Sequence, residues 1–186
     1  VACWGTNNDG QLNPPLGNYV SIDGGYRHFC ALTIAGDVKC WGNNNKGQTT
    51  VPQTNDIYSE VSMGNYHSCA LRESDGYVRC WGKWDNDSTN NQSNGGPYKS
   101  LSGGGNYYHC GILYGDRYRC WGDNSNFYNS MSNSSTNYQS ARPKLGPFIS
   151  IETSRHDHVC AVRRDLTPVC WGGNNSSGKL KIPQLD

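Results

Sequence analysis

Residues 25–48 read G-Y-R-H-F-C-A-L-T-I-A-G-D-V-K-C-W-G-N-N-N-K-G-Q, and the pattern of this stretch returns along the whole chain. Its C-W-G tripeptide begins at Cys3, Cys40, Cys80, Cys120 and Cys170, in steps of 37, 40, 40 and 50 residues. A second cysteine precedes four of the five in a shared frame: G-Y-R-H-F-C-A-L, G-N-Y-H-S-C-A-L, G-N-Y-Y-H-C-G-I and R-H-D-H-V-C-A-V. Turn residues separate the two cysteines, as in Ala35-Gly36-Asp37 or Ser74-Asp75-Gly76. An Asn- and Gly-rich stretch follows, clearest in W-G-T-N-N-D-G-Q-L and W-G-N-N-N-K-G-Q-T. A short alternating segment lies upstream: Tyr19-Val20-Ser21-Ile22, Ser59-Glu60-Val61-Ser62 or Phe148-Ile149-Ser150-Ile151. Self-similarity at this period is the signature of a repeat architecture.

Each unit reads as a first strand, a Gly-rich turn, a second strand, a tight hairpin and a third strand, closed by a polar loop with room for a short outer strand. No window carries helical periodicity with caps. The expectation is an all-β, β-propeller-like array of four complete blades plus a partial N-terminal blade. Its units fall near 1–17 (partial), 18–53, 54–95, 96–145 and 146–186 of one repeat domain.

The composition agrees with a thin core. Of 186 residues 34% are hydrophobic and 17% charged, while Gly (23) and Asn (21) supply much of the polarity. No apolar run approaches the roughly 18 residues that cross a bilayer, so membrane insertion is not expected. The net charge of +1, spread without blocks, excludes a charged disordered tail and leaves no electrostatic footprint for nucleic acid. Nine cysteines without a C-x-x-C pair, regularly spaced in such a chain, read as disulfides and therefore as an extracellular or cell-surface location. The chain opens at Val1 without a leader, which reads as a mature or trimmed form. Glycosylation sequons at Asn86, Asn91, Asn133, Asn174 and Asn175 agree with secretion, although a chain rich in Asn and Ser also makes sequons by chance.

The pattern H-x-C-A-L, then G-x-V-x-C-W-G-x-N-x-x-G-Q and a Pro, resembles the repeat of the regulator-of-chromosome-condensation propeller superfamily. It is most similar to secreted, Cys-containing branches such as the propeller-type β-lactamase inhibitory protein and the Crinkly-type receptor ectodomains. That family usually closes a ring of about seven blades, and the loops Trp84–Tyr98 and Asn124–Pro143 are long and degenerate beside its pattern. In Cys-bearing versions each hairpin strand carries a cysteine. The resemblance thus implies Cys30 with Cys40, Cys69 with Cys80, Cys110 with Cys120 and Cys160 with Cys170, leaving Cys3 unpaired or intermolecular. Antiparallel strands about a short turn would hold such partners roughly 4.5–5.5 Å apart at Cα. Linkage between adjacent blades, or free buried thiols, are the alternatives. The guanine-nucleotide exchange of intracellular members does not carry over.

Trp4, Trp41, Trp81, Trp121 and Trp171 recur in every unit, as packing between blades or as sugar-stacking platforms; packing is the expectation. Trp84, outside the frame, is the better surface contact. His28, His67 and His158 share one frame position with Tyr108, while His109 and His156 lie off it. A ring of imidazoles can hold a metal, but the resemblance implies that each bonds backbone at a strand entry, and no metal is expected. The loop Asp85-Asn86-Asp87-Ser88-Thr89-Asn90 offers oxygen ligands for calcium yet lacks the Gly and closing Glu of an EF-hand, and reads as a solvated loop. No G-x-S-x-G elbow, P-loop, H-E-x-x-H or dinucleotide fingerprint occurs. Neither catalysis nor a cofactor is expected.

Small polar residues, sequons and irregular loops favour a secreted, glycosylated structural protein forming a filament, polymer or surface coat by self-association with neighbouring copies. The alternative is an extracellular binding module, a lectin or protein inhibitor that takes a glycan or protein ligand on one propeller face. The opening Cys3-Trp4-Gly5 lacks the two strands that precede it elsewhere, and an open strand edge beside an odd cysteine is a template for another copy.

Overall fold

Among the described residues four three-stranded antiparallel sheets follow one another along the chain, each in the order first, second, third strand. The computed structural model describes residues 1–83, 96–105, 108–122, 146–154, 158–172 and 182. The first sheet holds β1 (Tyr19–Gly24), β2 (His28–Thr33) and β3 (Val38–Gly42), and the second β4 (Tyr58–Met63), β5 (His67–Arg72) and β6 (Val78–Gly82). The third holds β7 (Tyr98–Gly104), β8 (Tyr108–Leu113) and β9 (Tyr118–Gly122), and the fourth β10 (Phe148–Thr153), β11 (His158–Arg163) and β12 (Pro168–Gly172). Every first strand carries a register shift at the same place, between Tyr19 and Ser21, Tyr58 and Glu60, Tyr98 and Ser100, and Phe148 and Ser150. A bulge repeated in register bends each strand alike and re-aims its side chains toward the neighbouring sheet.

Sheets pack in chain order, β1 and β2 against β4, β4 and β5 against β7, β7 and β8 against β10. The cores lie between blades. Cys30 and Leu32 of the first sheet meet Tyr58, Val61, Met63 and Trp81 of the second. Cys69 and Leu71 meet Tyr98, Leu101 and Trp121, and Cys110 and Ile112 meet Phe148, Ile151 and Trp171. Val61, Leu101 and Ile151 occupy one frame position and are 6%, 6% and 3% exposed, whereas Ile22 at the same position of β1 is 44% exposed. No described sheet packs on that face of β1.

The paired cysteines stand directly opposite in the second and third strands. Disulfides join Cys30–Cys40, Cys69–Cys80, Cys110–Cys120 and Cys160–Cys170, with Cα separations of 4.1, 4.0, 3.9 and 4.1 Å. The distances undercut the expected 4.5–5.5 Å, since the covalent link draws the strands together.

One expectation fails at the N-terminus. Residues 1–17 form no strand, so the partial blade does not exist as a piece of sheet among the described residues. Trp4 is 86% exposed instead of packed, and Cys3 is half-buried without a disulfide. A lone C-W-G has no described strand beside it to pair with, and single strands are not stable. The loop that follows is ordered by Asn7 and Gly10 turns and delivers the Gln11 carbonyl to the Trp41 indole N–H at 3.0 Å.

Candidate functional site

Two repeated devices shape the end of the sheets where first strands turn into second strands. The first is the glycine of C-W-G. Gly42 and Gly82 have φ of 95° and 96°, which favours glycine, and a Cβ there would lie 2.6 Å from the Arg27 carbonyl or 2.7 Å from that of Tyr66. The sharp turn lets Asn43 N–H donate to the Arg27 carbonyl at 2.8 Å and Lys83 N–H to that of Tyr66 at 3.0 Å. The chain leaving β3 and β6 is thereby fixed against the first turn of its own blade.

The second device is the histidine at the start of the second strand. Its imidazole fills the space beside the glycine three residues earlier: a Cβ on Gly25 would sit 2.2 Å from His28 Cε1, and one on Gly64 2.1 Å from His67 Cε1. The resemblance implies that each ring bonds backbone at a strand entry; the structure turns the rings to the next blade, where His28 has a backbone hydrogen bond at His67, the first residue of β5. His28 Nε2 meets the Ser68 hydroxyl at 3.0 Å, and that hydroxyl donates to the Gln48 carbonyl at 2.7 Å. Ser68 therefore accepts, and His28 carries its proton on Nε2. The same Gln48 carbonyl takes the Trp81 indole N–H at 2.9 Å. His67 Nε2 meets His109 Nδ1 at 2.7 Å, and His109 Nε2 meets the Ser62 carbonyl at 3.0 Å. A carbonyl only accepts, so His109 donates from Nε2 and receives from His67 on Nδ1. Burial pushes His28 and His109 down to about 4, partly opposed by backbone hydrogen bonds to His67 and Ser62 respectively. His109, off frame in the sequence, is thus a full member of the relay because it stands where Ser68 stands in the preceding blade. His158 is half-buried at the entry of β11, its backbone N–H donating to the Ser154 hydroxyl at 3.0 Å.

Carboxylates add a further tie between first strands. Asp23 accepts from Met63 N–H at 2.7 Å and Glu60 from Leu101 N–H at 3.1 Å. Burial raises Glu60 to about 7 against the Leu101 bond, with the charges of Glu152 and Asp23 pushing the same way. Burial also raises Asp23.

Between the first two blades these loops enclose an open cleft of about 170 Å³, lined by Tyr26, Arg27, Asn43, Asn45, Lys46, Gln48, Asn65 and Tyr66. Tyr26 and Tyr66 meet edge-to-face at 6.0 Å, and the Arg27 guanidinium lies 5.2 Å from the Tyr26 ring centre. Hydrogen bonds to Tyr26 and then to Asp9 raise the Arg27 pKa. Arg27 Nη1 lies 3.2 Å from Asp9 Oδ2, and Asn43 donates to Asp9 Oδ1 at 2.7 Å. Gln48, 1% exposed, anchors the floor by accepting from Lys46 N–H at 2.8 Å and donating to Asn43 at 2.9 Å. The arrangement offers two aromatic surfaces, amides and two cations around a volume of one small ring. Sequence reasoning missed it, since Tyr26 and Tyr66 fall one place apart in the repeat frame; the Asn/Gly/Gln loop was its visible half.

The other expected residues divide. Trp41, Trp81, Trp121 and Trp171 are buried, so their rings pack inside and are not open platforms. Asn86, Asn91, Asn133, Asn174 and Asn175, with Trp84, His156 and the Asp85–Asn90 loop, lie outside the described residues. Among the described residues no group of three or more His, Cys, Asp or Glu side chains could hold a metal ion.

Disulfide-stapled blades that pass hydrogen bonds from one to the next define a β-propeller repeat protein. Residues 19–48 and 58–92 match the regulator of chromosome condensation (RCC1) repeat, and the repeated blade is RCC1-like. It is similar to the entire ectodomain of the Physcomitrella patens receptor kinase CR4, at 28% identity over 92% of this chain and 46% of that one, with a TM-score of 0.69. It is also similar to the CRINKLY WD40 ectodomain of the Arabidopsis thaliana receptor kinase ACR4, at 25% identity over 84% of this chain and 50% of that one, TM-score 0.60. Yeast RCC1 (Prp20), solved with Kap60 bound, shares the fold at 17% identity over 84% of this chain and 44% of that one, TM-score 0.63. The chain therefore spans about half the length of the ectodomains it matches. No curated protein matches it. Among the described residues no helix is long and apolar enough to cross a membrane.

Proposed function

We propose that this chain is a non-catalytic extracellular binding module that takes its ligand on the loop face between the first two blades. The observation that carries the reading is the convergence of Tyr26, Tyr66, Arg27 and Lys46 on one cleft whose walls are held by backbone and amide hydrogen bonds. Rigid aromatic and cationic groups presented on loops over a stable scaffold are what recognition sites use. The four disulfides and the similarity to receptor ectodomains support an oxidising, extracellular setting. The filament or coat reading rests on composition and on an open strand edge beside the odd Cys3; residues 1–17 form no strand to supply that edge, and no other observation adds to it.

The test is a panel of glycans and extracellular proteins probed with the wild-type chain and with Tyr26→Ala/Tyr66→Ala. The expected outcome is a ligand whose binding falls at least tenfold in the variant while its melting temperature holds. A ligand bound equally by both forms would move the site elsewhere.

A further inference from the structure

Resting on the reading of this cleft as the binding site, we propose that its ligand is an acidic polysaccharide, one uronate or sulfated sugar unit of which enters between Tyr26, Tyr66 and Lys46. Size decides first. Pockets for cofactors and other small molecules typically enclose about 300–1,000 Å³, and this cleft encloses about 170 Å³. It admits one ring-sized unit of a chain whose remainder runs across the open loop face.

Charge decides next. Arg27 and Lys46 line the cleft, and no acid does. Asp9, the carboxylate bonded to the lining residues, is already engaged at both oxygens, by Arg27 and by Asn43. A cationic ligand meets no counter-charge here, whereas an anionic one meets the exposed ammonium of Lys46 beside a guanidinium held over an aromatic ring. The remaining groups suit hydroxyls. Asn45 and Asn65 bring amides to the cleft wall over the buried Gln48–Asn43 floor, and the tyrosine rings offer apolar surface to the C–H side of a pyranose. The same amides would serve a peptide backbone poorly, because an open cleft of this volume leaves no extended groove for a strand and exposes no described sheet edge inside it.

The experiment uses the whole chain and four probes: an oligogalacturonate, its methyl ester, a sulfated oligosaccharide and a neutral oligosaccharide of equal length, measured by calorimetry at two salt concentrations. Expected is binding of the oligogalacturonate, the sulfated probe or both, weakened at high salt, and at least tenfold weaker binding of the methyl ester and the neutral probe. Lys46→Gln, at an exposed side chain, should weaken the acidic probe roughly tenfold without lowering the melting temperature, and Tyr66→Ala should do at least as much. Equal affinity for charged and neutral sugars, or acidic binding untouched by both variants, would overturn the proposal. A protein ligand lost on Tyr26→Ala/Tyr66→Ala would overturn the saccharide while leaving the binding site standing. Loss of neither, for any ligand, would remove both.

Discussion

His28 and His109 are each 0% exposed and held neutral, with pKa values near 4 where an ordinary histidine titrates near 6.5. In the unfolded chain both take up a proton below about pH 6.5; in the fold neither does until about pH 4. Their contribution is therefore complete above pH 6.5 and lost as pH falls toward 4, roughly 3 kcal/mol for each. Glu60 runs the other way. Its folded value near 7 exceeds the ordinary 4.5, so it destabilises as pH rises through that window. The raised Asp23 acts on the side of Glu60, but the two histidines outweigh them, and thermal melts between pH 7.5 and 4 should show a falling melting temperature on acidification. Glu60→Gln should make the fall steeper, because it removes the opposing proton. A flat profile would contradict the neutral relay.

Within one blade, the element that matters is the turn into the second strand and the turn out of the third. Gly64→Ala would drive a methyl to 2.1 Å from His67, and Gly82→Ala would add 2.7 Å from the Tyr66 carbonyl to a left-handed backbone. Each should cost more than about 2 kcal/mol in urea unfolding. Gly47→Ala is the control: its φ is 77°, yet nothing lies within 4 Å of the new Cβ, so only about 1–2 kcal/mol of backbone strain is expected. The three-strand blade and its hairpin cysteines were legible from the sequence, because a period of two and a short turn force opposite partners. The direction of the histidines was not, since their partners sit in another blade about 40 residues away.

Across the whole molecule stability resides between blades, where a disulfide and an aliphatic residue of one sheet meet the tryptophan and first strand of the next. Position in the array should therefore set the cost of the same change. Leu101→Ala, at a site 6% exposed between two sheets, should cost about 2–4 kcal/mol. Ile22→Ala, at the matching site 44% exposed, should cost less than about 1.5 kcal/mol. Chemical denaturation of the two variants checks this. Equal losses would mean that the outer face of β1 is covered by something outside the described residues.

What the sequence alone determined is whatever depends on neighbours in the chain. The recurrence of C-W-G and of the Gly-x-x-His frame set the strand count, the hairpins and the facing cysteines, because local turn chemistry and side-chain alternation need no distant partner. Tertiary structure decided whatever depends on which blade lies beside which. It turned the imidazoles outward to Ser68 and His109, gave the Gln11 and Gln48 carbonyls to the tryptophans of the following blade, and left Trp4 in solvent. It also brought Tyr26 and Tyr66, one frame position apart, to 6.0 Å across a blade boundary. Propeller blades bury their faces only on one another, so a site between them belongs to no single repeat and has no signature in any one of them.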